Sequence, residues 1–205
     1  MSEAKERPIL FNGPMVCAVL DGRKTVTRRA LSARSLKEIG CGVQLGECHE
    51  LPVDGKVHPN DASYYAELCP FGLPGDRLWV RETFGLQVRR YGGGTGEHIV
   101  YRATNPDAIY CRSAEGKEYP VKWKPSIHMP RHSCRILLEI TDVRVEPLQH
   151  ITIGQICKEG LARSMYEFIP VTQAFDAFAE LWSSTGGDWD ANPWVWVVEF
   201  KRIEP

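Results

Sequence analysis

Gly22-Arg23-Lys24-Thr25-Val26-Thr27-Arg28-Arg29 is the stretch on which the reading of this chain turns. Just upstream, Pro14-Met15-Val16-Cys17-Ala18-Val19-Leu20 is a short apolar run of good helix formers, with a proline suited to a first helical turn. Asp21-Gly22 then supplies the left-handed stop that helix ends favour. From Val26 onward the β-branched residues predict a strand over 25–30, on which Thr27 and Arg29 share one face while Val26 and Arg28 take the other. Lys24, three residues from Thr27, falls on the wrong face of an ideal strand, so it joins Thr27 only from a bent approach or through its long stem. A hydroxyl, an amine and a guanidinium in one turn-and-strand segment are the parts of an active site. The plain alternative is a solvated basic turn.

Working outward, residues 8–13 read as a short strand or loop and 14–21 as a helix. Residues 33–74, rich in Gly, Pro, Asp, Asn and His without sustained periodicity, read as an irregular insertion or lid. Leu78 to Val88 and His98 to Thr104 read as strands around the hairpin-like Tyr91-Gly92-Gly93-Gly94-Thr95-Gly96. A second irregular stretch, 105–133, leads to the strong strand signal of residues 133–146. Thr152 with Gln155 predicts a capping box for a short helix ending at Gly160. Val171 to Ser183 carries Phe175, Phe178, Ala179 and Trp182 at helical spacing, and Pro193 to Arg202 is the last strand. Several strands with few, short helices predict an α+β protein: a closed or partly closed β-barrel flanked by helices.

The spacing Gly-x-Lys-x-x-Thr-x-Arg, here Gly22, Lys24, Thr27 and Arg29, resembles the signature of the ASCH domain family, a branch of the PUA-like β-barrels. Pro74-Gly75-Asp76-Arg77-Leu78-Trp79-Val80-Arg81-Glu82, the helix from Ile151-Thr152 to Glu159-Gly160, and the strand Trp194 to Lys201 agree in the same order. The resemblance thus spans nearly the whole chain, read as one ASCH domain over 1–205 with an insertion at about 33–74. It is strongest to the longer members encoded by bacteriophages and prophages, whose opening is similar to Pro8-Ile9-Leu10-Phe11-Asn12-Gly13-Pro14-Met15.

In family members that hydrolyse N4-acetylcytidine, the lysine accepts a proton, the threonine is the nucleophile and a glutamate is the proton donor. The resemblance therefore implies Lys24, Thr27 and Glu159 as catalytic residues, with Arg29 orienting or stabilising the oxyanion. Chemically, Thr27 needs a base, and a lysine serves only when burial or neighbouring cations such as Arg23, Arg28 and Arg29 lower its pKa. Arg28, Glu82, Trp79 and Arg131 complete the expected substrate-binding set. Glu82 has an alternative as a carboxylate paired with Arg81 or Lys24, and Trp79 and Trp196 have one as core. The family's hydrolases are about half this length and lack counterparts of 33–74 and 105–133, which leaves the substrate open.

Composition narrows the field. With 43% hydrophobic and 25% charged residues the 205-residue chain is ordinary for a soluble protein. It has no apolar leader and no run near the ~18 apolar residues of a membrane span. Seven scattered cysteines form no framework and fit a reducing cytoplasm. The net charge of −1 argues against a general nucleic-acid coat protein, yet two acid-free basic stretches, Arg23 to Lys37 and Tyr119 to Leu138, would make a phosphate-binding groove if they adjoin. Gly22-Arg23-Lys24-Thr25 lacks the adjacent Gly-Lys of a phosphate loop. Cys41, Cys48, His49, His58 and Cys69 cluster in the insertion but hold no Cys-x-x-Cys pair, so packing is preferred over a metal and no cofactor is expected. The reading is a nucleobase- or nucleoside-binding protein, an amidohydrolase on N4-acylated cytosine. A non-catalytic module for RNA, single-stranded or modified DNA, or an RNA nuclease, stays open.

Overall fold

The computed structural model describes residues 4–91 and 94–204. Its main sheet has five strands: β1 (Glu6–Leu10), β2 (Val26–Ala30), β3 (Arg77–Arg81), β8 (Leu137–Pro147) and β9 (Trp194–Ile203), in the order β1-β3-β8-β9-β2. β1 runs parallel to β3 and the other pairings are antiparallel. Two hairpins stand apart, β4 (Phe84–Tyr91) with β5 (Gly94–Tyr101) and β6 (Ile109–Arg112) with β7 (Glu118–Pro120). Within the expected glycine connection Tyr91 pairs with Gly94; Gly92 and Gly93 lie outside the described residues.

The mixed α+β class is as expected, but the hydrogen bonding among the described residues does not close a barrel. β1 and β2 are open edges, and neither hairpin joins the main sheet; the first is tied to Lys124, which exchanges two backbone hydrogen bonds with Phe84. The edges still approach one another, because the Arg29 guanidinium donates to the Leu10 carbonyl across 2.8 Å. An arginine, not a strand ladder, spans the gap.

β9 explains its own apolar run. Trp196, Val198 and Phe200 enter a core shared with α1 (Gly13–Leu20), α2 (Ala33–Leu45) and α3 (Ala62–Glu67). Val195 and Val197 enter a second core with α4 (Ile153–Lys158) and α5 (Gln173–Ser184). A strand covered on both faces needs no polar alternation.

Residues 33–74 are the main correction to the sequence reading, since they carry two helices, α2 and α3, and contribute to the first core. Ser32 caps α2 by accepting the Ser35 amide, and Gly46, at φ +74°, ends it. Ile39 and Tyr65 are buried in the first core with Cys48 and Cys69. One glycine that suggests a loop has a packing role: a Cβ on Gly42 would lie 2.2 Å from the Tyr64 hydroxyl, so glycine here leaves room for the Tyr64 ring of α3 against α2. Within 105–133 the sequence reading likewise missed the exposed β6–β7 hairpin.

Asp76, in the Pro74–Glu82 motif, anchors the start of β1 to that of β3. It accepts the Lys5 amide on Oδ1 at 2.9 Å and the Leu73 amide and Arg7 guanidinium on Oδ2 at 3.2 and 2.8 Å. Burial pushes its pKa up, but these donors outweigh burial and hold it below the ordinary aspartate value. A carboxyl with a depressed folded-state pKa stabilises fully above its unfolded pKa and loses that contribution as pH falls through the folded value. The stability advantage of the wild type over Asp76→Asn is therefore expected to be full above about pH 4 and to shrink below it. Urea midpoints across that range check this.

Candidate functional site

The turn from α1 into β2 is built locally. Asn12 caps α1 through the Met15 amide, Pro14 occupies the first turn and Gly22 adopts φ +73°. The amides of Arg23 and Lys24 both bond the Ala18 carbonyl, at 2.8 and 3.0 Å, which folds the chain sharply back. Lys24 thus precedes β2 on a bent approach. Along β2, Thr27 and Arg29 sit opposite Val198 and Trp196 of the first core, whereas Val26 packs into the second and Arg28 sits opposite Val197. The strand alternation is the expected one.

The second component arrives from α4. Its capping box is present, with Thr152 accepting the Gln155 amide and Gln155 reaching back to the Thr152 amide. At its other end the Lys158 carbonyl accepts the Thr25 amide at 2.8 Å, and Glu159 bridges to Lys24 along the backbone. Glu159 is thereby laid beside the open edge of β2, 135 residues from Lys24 in the chain.

The side chains form a continuous buried network. Lys24 Nζ donates to Glu159 Oε2 at 2.6 Å, the Val26 carbonyl at 2.9 Å and the Glu159 carbonyl at 3.1 Å, so each ammonium proton has an acceptor. Arg28 donates to Glu159 Oε1 at 3.1 Å and to Glu146 Oε1 at 2.6 Å. The side chains of Lys24, Arg28 and Glu159 are 0%, 1% and 4% exposed. Lys24 and Arg29 also lie 5.5 and 5.8 Å from the centre of the Phe11 ring. Burial lowers the Lys24 pKa; Glu159 opposes that shift, and Arg29 and Arg28 add to it. Burial lowers that of Arg29 too, against the pull of Glu159.

Thr27, Arg28, Arg29 and Glu159 line one small cavity, closed on the other side by Phe178, Leu181 and Trp182 of α5. Its volume of about 30 Å³ suits water and excludes a nucleobase. The arrangement offers a hydroxyl, two guanidinium groups for a developing oxyanion, and a carboxylate in hydrogen-bond contact with a lysine.

The structure brings Lys24, Thr27, Arg28, Arg29 and Glu159 together; it does not bring Glu82, Trp79 or Arg131 to that cavity. Glu82 is buried in a bidentate pair with Arg135 at 2.8 and 2.9 Å, and Arg135 stacks 4.0 Å over the Tyr101 ring. Trp79 packs under Arg81, and Arg131 pairs with Glu6. The expected pairing of Glu82 with Arg81 or Lys24 is replaced by Arg135. Sequence reading missed Glu146 and the α5 wall; the aromatic stripe of α5 marked a buried face without saying what it covers.

Much of the positive charge of the two basic stretches is already engaged. Lys24 and Arg28 are buried in the network, Arg34 pairs with Glu38, and Arg131 and Arg135 are paired as above. Lys122 and Lys124 line a separate groove of about 510 Å³ with Leu86, Tyr110 and Tyr119. Among the described residues no helix is long and apolar enough to cross a membrane.

Gly160 locks the two components together. At φ +96° it lies where a Cβ would meet the Ala18 Cβ at 2.6 Å and the Lys24 Cβ at 3.0 Å, and its carbonyl accepts from Arg23. Gly160→Ala is expected to cost about 1–3 kcal/mol through backbone strain and displacement of Lys24. Chemical denaturation of the variant beside the wild type measures it.

Neither a family model nor a curated protein matches the chain. Among solved structures, an ASCH domain from Lactobacillus crispatus JV V101 is similar at 12% identity, over 98% of this chain and 81% of that one, with a TM-score of 0.36. A likeness this distant transfers no residue's role.

Proposed function

We infer that the protein is a single ASCH-type, PUA-like domain, with 33–74 as its insertion, that binds a nucleobase or nucleoside and hydrolyses the amide of an N4-acylated cytosine nucleoside. The observation that carries this reading is the buried 2.6 Å contact between Lys24 and Glu159 beside Thr27. Burying three charged groups is costly, and a structural role is served more cheaply by apolar packing, so such a cluster, reaching a cavity through Arg28 and Glu159, is a candidate for chemistry.

A proton crossing from Lys24 Nζ to Glu159 Oε2 along their 2.6 Å contact converts the ion pair into a neutral amine and a neutral acid, the states a base and an acid require; burial weakens the lysine's hold on its proton. Thr27 Oγ then attacks the acyl carbon as Lys24 takes the hydroxyl proton, with Arg29 and Arg28 facing the oxyanion. Collapse of the tetrahedral adduct breaks the carbon–nitrogen bond, and Glu159 protonates the departing N4 amine. The proton on Lys24 crosses again to Glu159, the freed amine takes a proton from water as it attacks the threonyl ester, and Glu159 protonates the departing Thr27 Oγ, which releases the acid and restores the ion pair. Because the cavity admits water only, substrate binding requires the α5 wall to move outward.

A second reading, a module that binds RNA or modified DNA without turnover, draws on the Tyr110–Tyr119 groove with its two lysines, since aromatics and cations together bind single strands. One experiment separates the two. Purified protein is incubated with a panel of N4-acylated cytosine nucleosides and, separately, titrated with single-stranded RNA at several salt concentrations. Free cytidine product supports hydrolysis. No product with salt-dependent RNA binding supports the module.

A further inference from the structure

Residues 46–61 bring together a group of side chains unconnected with the Lys24 network. His58 caps a 3-10 turn formed by Pro59–Asp61, and in such a turn residues three apart, here His58 and Asp61, stack on one side. His49 enters from the loop after α2, and its ring lies 5.0 Å from that of His58. Its main chain is fixed at both ends: the Tyr65 hydroxyl donates to its carbonyl at 2.6 Å and Asp61 Oδ2 accepts its amide at 3.2 Å. Tyr65 is itself among the most buried side chains, so the anchor is rigid. The His49 ring also meets Asp61, with Nδ1 2.8 Å from Oδ2. Both bonds fall on the same oxygen, which leaves Asp61 Oδ1 available. Asp61 is 4% exposed, whereas both imidazoles face solvent.

We propose that His49, His58 and Asp61 bind one divalent transition-metal ion of the zinc class. One ligand atom from each lies within 4.8 Å of the others. A shared ion about 2.0–2.2 Å from each donor needs a modest further closing, which rotation of the two exposed rings provides. Two imidazoles and a carboxylate suit zinc, cobalt or nickel; magnesium and calcium favour all-oxygen sites. The thiols nearby do not enter the set: Cys48 is buried with its Sγ toward the Ile39 carbonyl, and Cys69 is buried in the first core. Three protein ligands leave a position for water, so the ion is exchangeable. Its effect is to tie the loop after α2 to α3.

The test uses the full chain, stripped with a chelator and titrated with zinc by calorimetry. One ion per chain is expected, and His49→Ala and His58→Ala should each weaken binding roughly tenfold or more. Both rings are exposed, but His58 Nδ1 accepts the Asn60 amide and His49 Nδ1 meets Asp61, so thermal melts without metal check that each variant stays folded; Asp61→Asn, at a buried position, is secondary. Cobalt should give a tetrahedral spectrum without a thiolate charge-transfer band. Zinc binding undiminished in both histidine variants, a thiolate band, or no saturable binding would each overturn the site. Equal binding of magnesium would overturn its chemical class.

Discussion

Glu159→Ala is expected to lower the unfolding free energy by about 3–5 kcal/mol, because it leaves the buried Lys24 ammonium, and one side of Arg28, without their counter-charge. The effect comes from stranding a cation and not from losing a strong attraction. Lys24→Met combined with Glu159→Gln should therefore be less damaging than the sum of the two single changes. Urea midpoints of the singles and the double close the cycle; additive losses would show that the pair is not coupled. The same reasoning changes how activity losses at these positions are read. On the proposed mechanism, an alanine at Lys24 or Glu159 would lower turnover partly by loosening the fold, so turnover is to be compared at equal fractions folded.

Thr27→Val avoids that ambiguity. The valine keeps the β-branch and nearly the volume of the buried threonine in β2, and removes only the hydroxyl. Stability should change little while deacylation of an N4-acylcytidine falls by roughly two or more orders of magnitude. Thr27→Ser, which keeps a hydroxyl, should retain part of the rate. Wild-type turnover in Thr27→Val would eliminate the threonyl ester and shift the attack to water held by the lysine.

What could be read from the sequence divides by range. Proline, the αL glycine and β-branching act within a few residues, so the end of α1 at Gly22, the faces of β2 and the capping box of α4 were all legible. So was the displacement of Lys24 from the strand. Partners far along the chain leave no local mark: nothing near Arg28 announces Glu146, and nothing near Glu82 announces Arg135. α2 failed for another reason. Its glycines have the composition of a loop, yet Ser32 before it and Gly46 after it were signals of its two ends. Asp61 carries no thiol or imidazole signal of a metal ligand, although the His58-Pro59-Asn60-Asp61 spacing places it one 3-10 turn from His58.

The strand order has a further bearing on synthesis from the ribosome. β2's partner in the sheet is β9, the last strand, and Lys24 meets its carboxylate only when residue 159 has been made. Throughout translation the N-terminal segment therefore carries Lys24 and Arg28 hydrated and unpaired, and loops of well over a hundred residues must close before either is covered. The amine cannot be desolvated by a partial fold. Whatever reactivity the lysine has is switched on only with the completed sheet, so a truncated or stalled chain carries the motif without its chemistry.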